Sequence, residues 1–246
     1  MKNYKTGIQL YTVREALGED FKGTMAKLAK LGCDGVEFAW NYGGMNPEEL
    51  KSFLDELGLV TCGLHSSLDN LLNPDCDDYK YAKALGCKYI TTSLQGNVET
   101  NWMETIEKVK VAAKVAKDQG LQFTYHNHAQ EFKKINGEYA LDIFYAATDP
   151  EFVKAELDTF WIKKGGEDPA SYLRKYKDRI PQIHLKDMDE ETGTFVALGT
   201  GIIDFDSVKE VAIAANSEWL IYEQDSCGDK DVMECAAQSI QFINQL

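Results

Sequence analysis

Short apolar runs alternate along the chain with longer amphipathic stretches, and the alternation continues from end to end. The runs read as strands over Gly7–Tyr11, Gly35–Ala39, Val60–His65, Tyr89–Ser93, Gln122–His126, Val153–Asp158, Gln182–Lys186 and Trp219–Glu223. Their spacing is that of one strand–helix unit in a parallel sheet. Helical patterning predicts helices over Phe21–Leu31, Pro47–Leu57, Thr105–Asp118 and Asp206–Ala215, with a short, polar one over Asp75–Leu85 as the weakest link.

An internal echo supports this reading. Leu31-Gly32-Cys33-Asp34-Gly35-Val36-Glu37-Phe38 resembles Leu85-Gly86-Cys87-Lys88-Tyr89-Ile90-Thr91-Thr92, and Leu57-Gly58-Leu59-Val60 recurs as Gln119-Gly120-Leu121-Gln122. Each time a helix ends, Gly supplies a left-handed cap and a strand begins. Alternation of this kind places helices over a parallel sheet. No GxGxxG follows the first strand, so eight such units favour a closed (β/α)8 barrel over a doubly wound dinucleotide fold. The 246 residues are expected to form one such domain, residues 1–246, since no linker-like stretch interrupts them.

Charge narrows the partners. Forty acidic and 26 basic side chains give a net charge of -14, which repels phosphate backbones and anionic membranes. The opening Met1-Lys2-Asn3-Tyr4-Lys5-Thr6 lacks a signal-peptide apolar segment, and no apolar run is long enough to span a bilayer. A cytoplasmic protein acting on a small molecule, with neither nucleic acid nor membrane as partner, is the expectation. The six cysteines include no CxxC pair, and Cys33, Cys62 and Cys87 lie in or beside apolar runs, as reduced structural thiols do.

In a parallel barrel, function collects where the strands end. Those ends carry Gln9 and Thr12, Glu37, His65, Thr92 and Ser93, then Tyr125-His126-Asn127-His128, Glu156 and Asp158, His184 and Lys186, and Glu223 and Asp225. All four histidines of the chain are among them. The last four strands each place two polar groups at i and i+2, on one face. Taken singly, each has an ordinary explanation: Asp158 as a helix cap, Glu223 paired with a cation, Lys186 and Asp187 as a local ion pair. Together, two carboxylates and one or two imidazoles on consecutive strands are what a divalent transition metal requires.

At these residues the chain resembles the xylose-isomerase-like TIM-barrel superfamily, within it the sugar phosphate isomerase/epimerase group. The resemblance rests on Gly7-Ile8-Gln9-Leu10-Tyr11-Thr12-Val13-Arg14, on Tyr125-His126-Asn127-His128 with Glu131-Phe132, and on Leu157-Asp158-Thr159-Phe160-Trp161. It continues through Ile183-His184-Leu185-Lys186-Asp187 and Leu198-Gly199-Thr200-Gly201-Ile202-Ile203-Asp204-Phe205. The ketose epimerases of that superfamily hold a metal with Glu, Asp, His and Glu from strands 5 to 8. Here the last three positions fall on Asp158, His184 and Glu223, and the first on His126, a departure from the pattern. Glu131 is a candidate to restore the carboxylate by reaching back. Trp161 stands where the epimerases have a His, so a flat wall replaces a donor.

The resemblance implies a divalent metal, Mn²⁺ first and Zn²⁺, Fe²⁺, Co²⁺ or Mg²⁺ as alternatives. It also implies a sugar substrate and proton abstraction beside a metal-bound carbonyl to give an enediolate. His126, Glu131 and Glu223 are the base candidates, and Lys186 a polarising or anion-binding group. Gln9, Glu37, His65, His128 and Trp161 are the candidate substrate contacts. Returning the proton makes an isomerase or epimerase; losing a β-substituent makes a dehydratase, as in inosose dehydratases of the superfamily. DNA-repair endonucleases share the barrel but use more ligands and a basic face, and a non-catalytic sugar-binding barrel is a further alternative. Homodimers are common among such enzymes.

Overall fold

A computed structural model describes residues 4–94 and 98–246; the polar opening Met1–Asn3 lies outside them. Eight parallel strands close into a barrel: β1 (Lys5–Gln9), β2 (Gly35–Ala39), β3 (Val60–His65), β4 (Tyr89–Ser93), β5 (Gln122–His126), β6 (Val153–Asp158), β7 (Gln182–Leu185) and β8 (Trp219–Tyr222). Each pairs with its successor, and β8 returns to β1 with Trp219 opposite Lys5. The main helices alternate with the strands: α1 (Phe21–Lys30), α2 (Pro47–Leu57), α3 (Asp77–Ala84), α4 (Val98–Asp118), α5 (Ala140–Ala147), α6 (Pro169–Lys175), α7 (Phe205–Ala215) and α8 (Val232–Gln245). No helix among the described residues is long and apolar enough to cross a membrane. The expected (β/α)8 barrel is the observed one.

Elements differ from expectation mainly at their ends. β1 lies two residues earlier than predicted because Leu10–Val13 turn into a 3-10 helix, whose first N–H groups include Tyr11 N donating to the Gln9 side chain. β7 stops before Lys186, whose N–H donates to Thr159 Oγ1 instead of a strand neighbour. α4 begins at Val98 rather than Thr105, across a non-helical Asn101, and buries Trp102 with its indole N–H on Ala140 O. The polar α3 is stable because its polarity is used: buried Asp78 accepts from Ser66 Oγ, Tyr42 O–H and Asn70 Nδ2.

Side-chain alternation gives the barrel interior a gradient. Near the strand starts, Cys62, Tyr89, Trp219 and Ile221 form a small apolar cluster, separate from the larger core between strands and helices. Trp219 fits because Gly35 has no side chain; a Cβ there would fall 2.8 Å from the indole. Further along the strands the interior turns polar, and Glu37, Thr91, Thr124, Glu156, Gln182 and His184 are all buried. Such groups are tolerated only when paired. Gln182 Nε2 donates to Cys62 O at 3.2 Å, and Thr91 and Thr124 share a 2.6 Å bond.

The local Lys186–Asp187 ion pair, the ordinary alternative for these two residues, does not form: Lys186 pairs with Asp158, Glu223 and Asp225. The Asp187 carboxylate instead accepts the backbone N–H groups of Met188, Gly199, Gly201 and Ile203 at 2.8 to 3.2 Å. Gly201 must be glycine, since an added Cβ would fall against Met188 O and the Asp187 carboxylate. One carboxylate thus folds the Leu198–Phe205 loop and leaves the Lys186 ammonium to other partners. Asp187→Ala orphans four donors and should cost about 3 kcal/mol in urea denaturation. A loss under about 1 kcal/mol would show that the loop finds other acceptors.

Candidate metal centre and active site

Alternation along β5 to β8 brings four side chains to one point. His126, Asp158, His184 and Glu223 each offer a donor atom, and these atoms lie within 4.8 Å of one another. All four residues are buried. His126 Nε2 is 3.3 Å from Asp158 Oδ2 and 3.7 Å from Glu223 Oε2, and His184 Nδ1 is 2.7 Å from Glu223 Oε2. Asp158 also caps a helical turn, Thr159–Lys164, through Oδ1 and the Trp161 N–H, which leaves Oδ2 facing the cluster.

A second group shares His184. Glu37, His65, Glu156 and His184 also place donor atoms within 4.8 Å. His184 Nε2 lies 2.7 Å from Glu37 Oε2, while His65 Nε2 lies 2.7 Å from Glu156 Oε2 and 3.2 Å from Glu37 Oε2. Gln9 Nε2 donates to the same Glu37 oxygen at 2.8 Å. The His184 ring is therefore held by a carboxylate at each nitrogen. Glu156 was legible only as a polar strand-end residue, yet it completes this layer, and its Oε1 is buried without a partner.

Burial pushes every charge here toward neutrality, and neighbours decide the outcome. Burial, with cationic His184 nearby, holds the His126 pKa well below the usual imidazole value. Burial and Lys186 lower His128 to about 4. Against burial, Glu156 and Glu37 hold His184 well above its ordinary value, and Glu37 and Glu156 raise His65 to about 10. Despite burial, Lys186 and His184 hold the Glu223 carboxyl below the usual range. Burial outweighs Lys186 at Asp158 and, with Glu223 adding, pushes it up to about 6.

The donor set fits a divalent cation. Two carboxylates supply balancing charge, and a neutral His126 directs Nε2 at both. The competing cation is Lys186, whose Nζ lies 2.9 Å from Glu223 Oε2, 2.9 Å from Asp225 Oδ1 and 3.3 Å from Asp158 Oδ2. Whatever binds must share those oxygens with an ammonium.

Above the cluster opens a cavity of about 840 Å³. Gln9, His65, His126, His128 and Glu223 line it, together with Tyr11 from the 3-10 helix after β1 and Trp40 and Ser66 from loops, none of them among the polar strand-end residues picked out in the sequence. Three expectations need correction. Glu131 does not reach the cluster: Oε1 accepts the Tyr125 O–H at 2.8 Å and Oε2 the His128 N–H at 3.0 Å. Tyr125 faces the helices, its ring 4.3 Å from Phe144, so Glu131 is drawn to the far side of β5, where burial raises its pKa to about 7. Glu37 lies behind His184 and His65 rather than on the cavity wall, its oxygens already bonded. Trp161 is also off the wall and backs two residues instead, with its ring 5.3 Å from His128 and 5.4 Å from the Lys186 ammonium.

Residues 25–246 match the family model described as xylose isomerase-like TIM barrel. The chain belongs to this family. It is 28% identical over 178 residues to an inosose dehydratase of Bacillus cereus, covering 57% of this chain and 58% of that protein. The first curated relatives that it matches are covered over only 58 to 61% of their length. Among solved structures, a sugar phosphate isomerase/epimerase from Parabacteroides distasonis superposes with a TM-score of 0.81 at 22% identity, over 97% of this chain and 93% of that one. The 3-keto-D-glucoside 4-epimerase YcjR from E. coli superposes with a TM-score of 0.78 at 15% identity, over 99% of this chain and 100% of that one. These structural likenesses establish a shared fold.

Two outcomes follow for the metal. Added Mn²⁺ should raise the melting temperature of the wild type but not of Asp158→Ala or Glu223→Ala, both folded by circular dichroism. Full Mn²⁺ occupancy in both variants would refute the donor assignment. Because the folded Asp158 pKa lies above that of a free carboxyl, a proton competes for Oδ2 up to about pH 6. Calorimetric Mn²⁺ affinity should therefore climb as pH rises through about 6 and go on climbing above it, because His184, held protonated by Glu156 and Glu37, must also release a proton before it can ligate. A pH-independent affinity from 5 to 8 would exclude Asp158 as a ligand.

Proposed function

We propose that this protein is a divalent-metal-dependent sugar isomerase or epimerase that moves a proton on the carbon beside a sugar carbonyl. The observation that carries the reading is the meeting of His126, Asp158, His184 and Glu223, of which His126 and Glu223 line a cavity whose walls hold two further histidines. A metal held by those four residues, Mn²⁺ in the first instance, would acidify the C–H between a carbonyl and a neighbouring hydroxyl. The chain's own groups must then take and return the proton.

His126 serves the donor set, because its Nε2 faces Asp158 and Glu223. Proton transfer falls to His128 and His65, whose rings lie 5.0 and 5.4 Å from that of His126. His128 is held neutral and is the base; His65 is held protonated by Glu156 and Glu37 and is the acid. Gln9, on the same cavity wall, fixes a sugar hydroxyl. Lys186 keeps Glu223 ionised and anchors Asp225.

The same pair supports a dehydratase as the second reading. An acid such as protonated His65 can equally give its proton to a departing hydroxyl, and the curated sequence relatives are named inosose dehydratases.

Incubating keto sugars and inososes with the Mn²⁺-loaded protein in D₂O tests both. Deuterium at carbon without loss of water supports the isomerase or epimerase, elimination products the dehydratase, and neither product refutes the enzymatic reading. His128→Ala should lower turnover by about 100-fold with little change in KM. An unchanged rate removes His128 from the mechanism.

A further inference from the structure

A sugar ring seated beside His126 and Glu223, the two cluster residues that line the cavity, leaves much of that cavity unfilled. At the ~30 Å³ that a water occupies, a generous allowance per heavy atom, the twelve heavy atoms of a hexose fill roughly 360 Å³. The cavity holds about 840 Å³.

Its outer wall carries two aromatic residues. Trp40 follows the last residue of β2 and is 56% exposed, among the most exposed large apolar side chains of the described residues. Its φ is +60°, the left-handed region that a bulky side chain seldom enters. Strain of this kind persists where the surroundings impose it and clusters at ligand clamps. Here it sets an indole on the cavity wall instead of in the core. Tyr11 meets it edge-on, with ring centres 6.0 Å apart and planes at 87°. The Arg14 guanidinium lies 4.1 Å from the Tyr11 ring centre and donates to Tyr11 O and Asp225 O, so the tyrosine is fixed before anything binds. A rigid aromatic corner is costly to leave in water and well suited to a flat, apolar-faced ring.

Resting on the sugar reading, we propose that the substrate is a glycoside whose carbonyl stands at a ring carbon other than the anomeric one, which the glycosidic bond occupies. Its sugar ring lies at the metal end of the cavity, and the ring of its aglycone packs against Trp40 and Tyr11. Ser67, which also lines the cavity, offers a hydroxyl to polar atoms along the way, and Ser66, its own proton given to Asp78, can accept from them.

Calorimetry on the Mn²⁺-loaded protein tests this with a panel of hexoses oxidised to a ketone at a ring carbon, each as the free sugar and as its phenyl glycoside. At least one phenyl glycoside should bind about tenfold tighter than its parent, and Trp40→Ala should erase that advantage while leaving the parent's affinity unchanged. Equal affinities in the wild type, or an advantage that survives in Trp40→Ala, overturns the proposal. Should Trp40→Ala melt lower, Trp40→Phe keeps a ring and must retain a preference for the phenyl glycoside; failure to do so also overturns it. Binding of no sugar and no glycoside sinks the sugar reading itself, a different result from equal binding of both.

Discussion

The His184 imidazole lies between two buried carboxylates, with Glu223 2.7 Å from Nδ1 and Glu37 2.7 Å from Nε2. These bonds tie β7 to the end of β8 and, across the barrel, to β2, in a place from which water is largely excluded. A buried ionic network of this kind is stable only while every member is paired, because removing one leaves an uncompensated charge. It also orients the ring for ligation. With a cation at Nδ1, the Nε2–H bond to Glu37 fixes the tautomer, as outer carboxylates do for histidine ligands generally. The two donor groups around His184 are thus one ligand layer and its support.

The rest of the barrel makes this layer possible. The apolar plug of Trp219, Tyr89, Cys62 and Ile221 closes the end where the strands begin, so the polar residues lie in a cup open only at the strand ends. Asp187 shapes the loop after β7 and does not neutralise Lys186. The ammonium is therefore free to balance Glu223, Asp158 and Asp225. Glu131, through the His128 N–H and the Tyr125 hydroxyl, pins the turn that carries His128 to the wall. Charge placement in the site is in this sense a property of the loops as well as of the strands.

Much of this was legible in the chain. Strands such as Val60–His65 and Val153–Asp158 were bounded correctly because each is marked locally, the first by the Gly58 cap and the second by the Asp149-Pro150 turn before its run. The pairs Glu156/Asp158 and His184/Lys186 betrayed an interior face, since i and i+2 share one side of a strand. The rim was less legible. Whether Gln9 or Tyr11 ends β1 depends on a side-chain bond to Tyr11 N, and whether Lys186 belongs to β7 depends on Thr159. Glu131 was misplaced because its pull comes from Tyr125, which alternation puts on the opposite face from His126. The aromatic corner at Trp40 had no signal, for a left-handed tryptophan leaves no mark in composition or periodicity.

The position of a cation relative to His184 decides which of the two donor groups is the ligand layer and which its support. A crystal of the protein grown with Mn²⁺ and measured for anomalous scattering at the manganese edge locates it directly. The ion is expected within about 2.0–2.3 Å of His126 Nε2, His184 Nδ1, Asp158 Oδ2 and Glu223 Oε2. Manganese on the Nε2 side, among Glu37, His65 and Glu156, or at neither group, would contradict it.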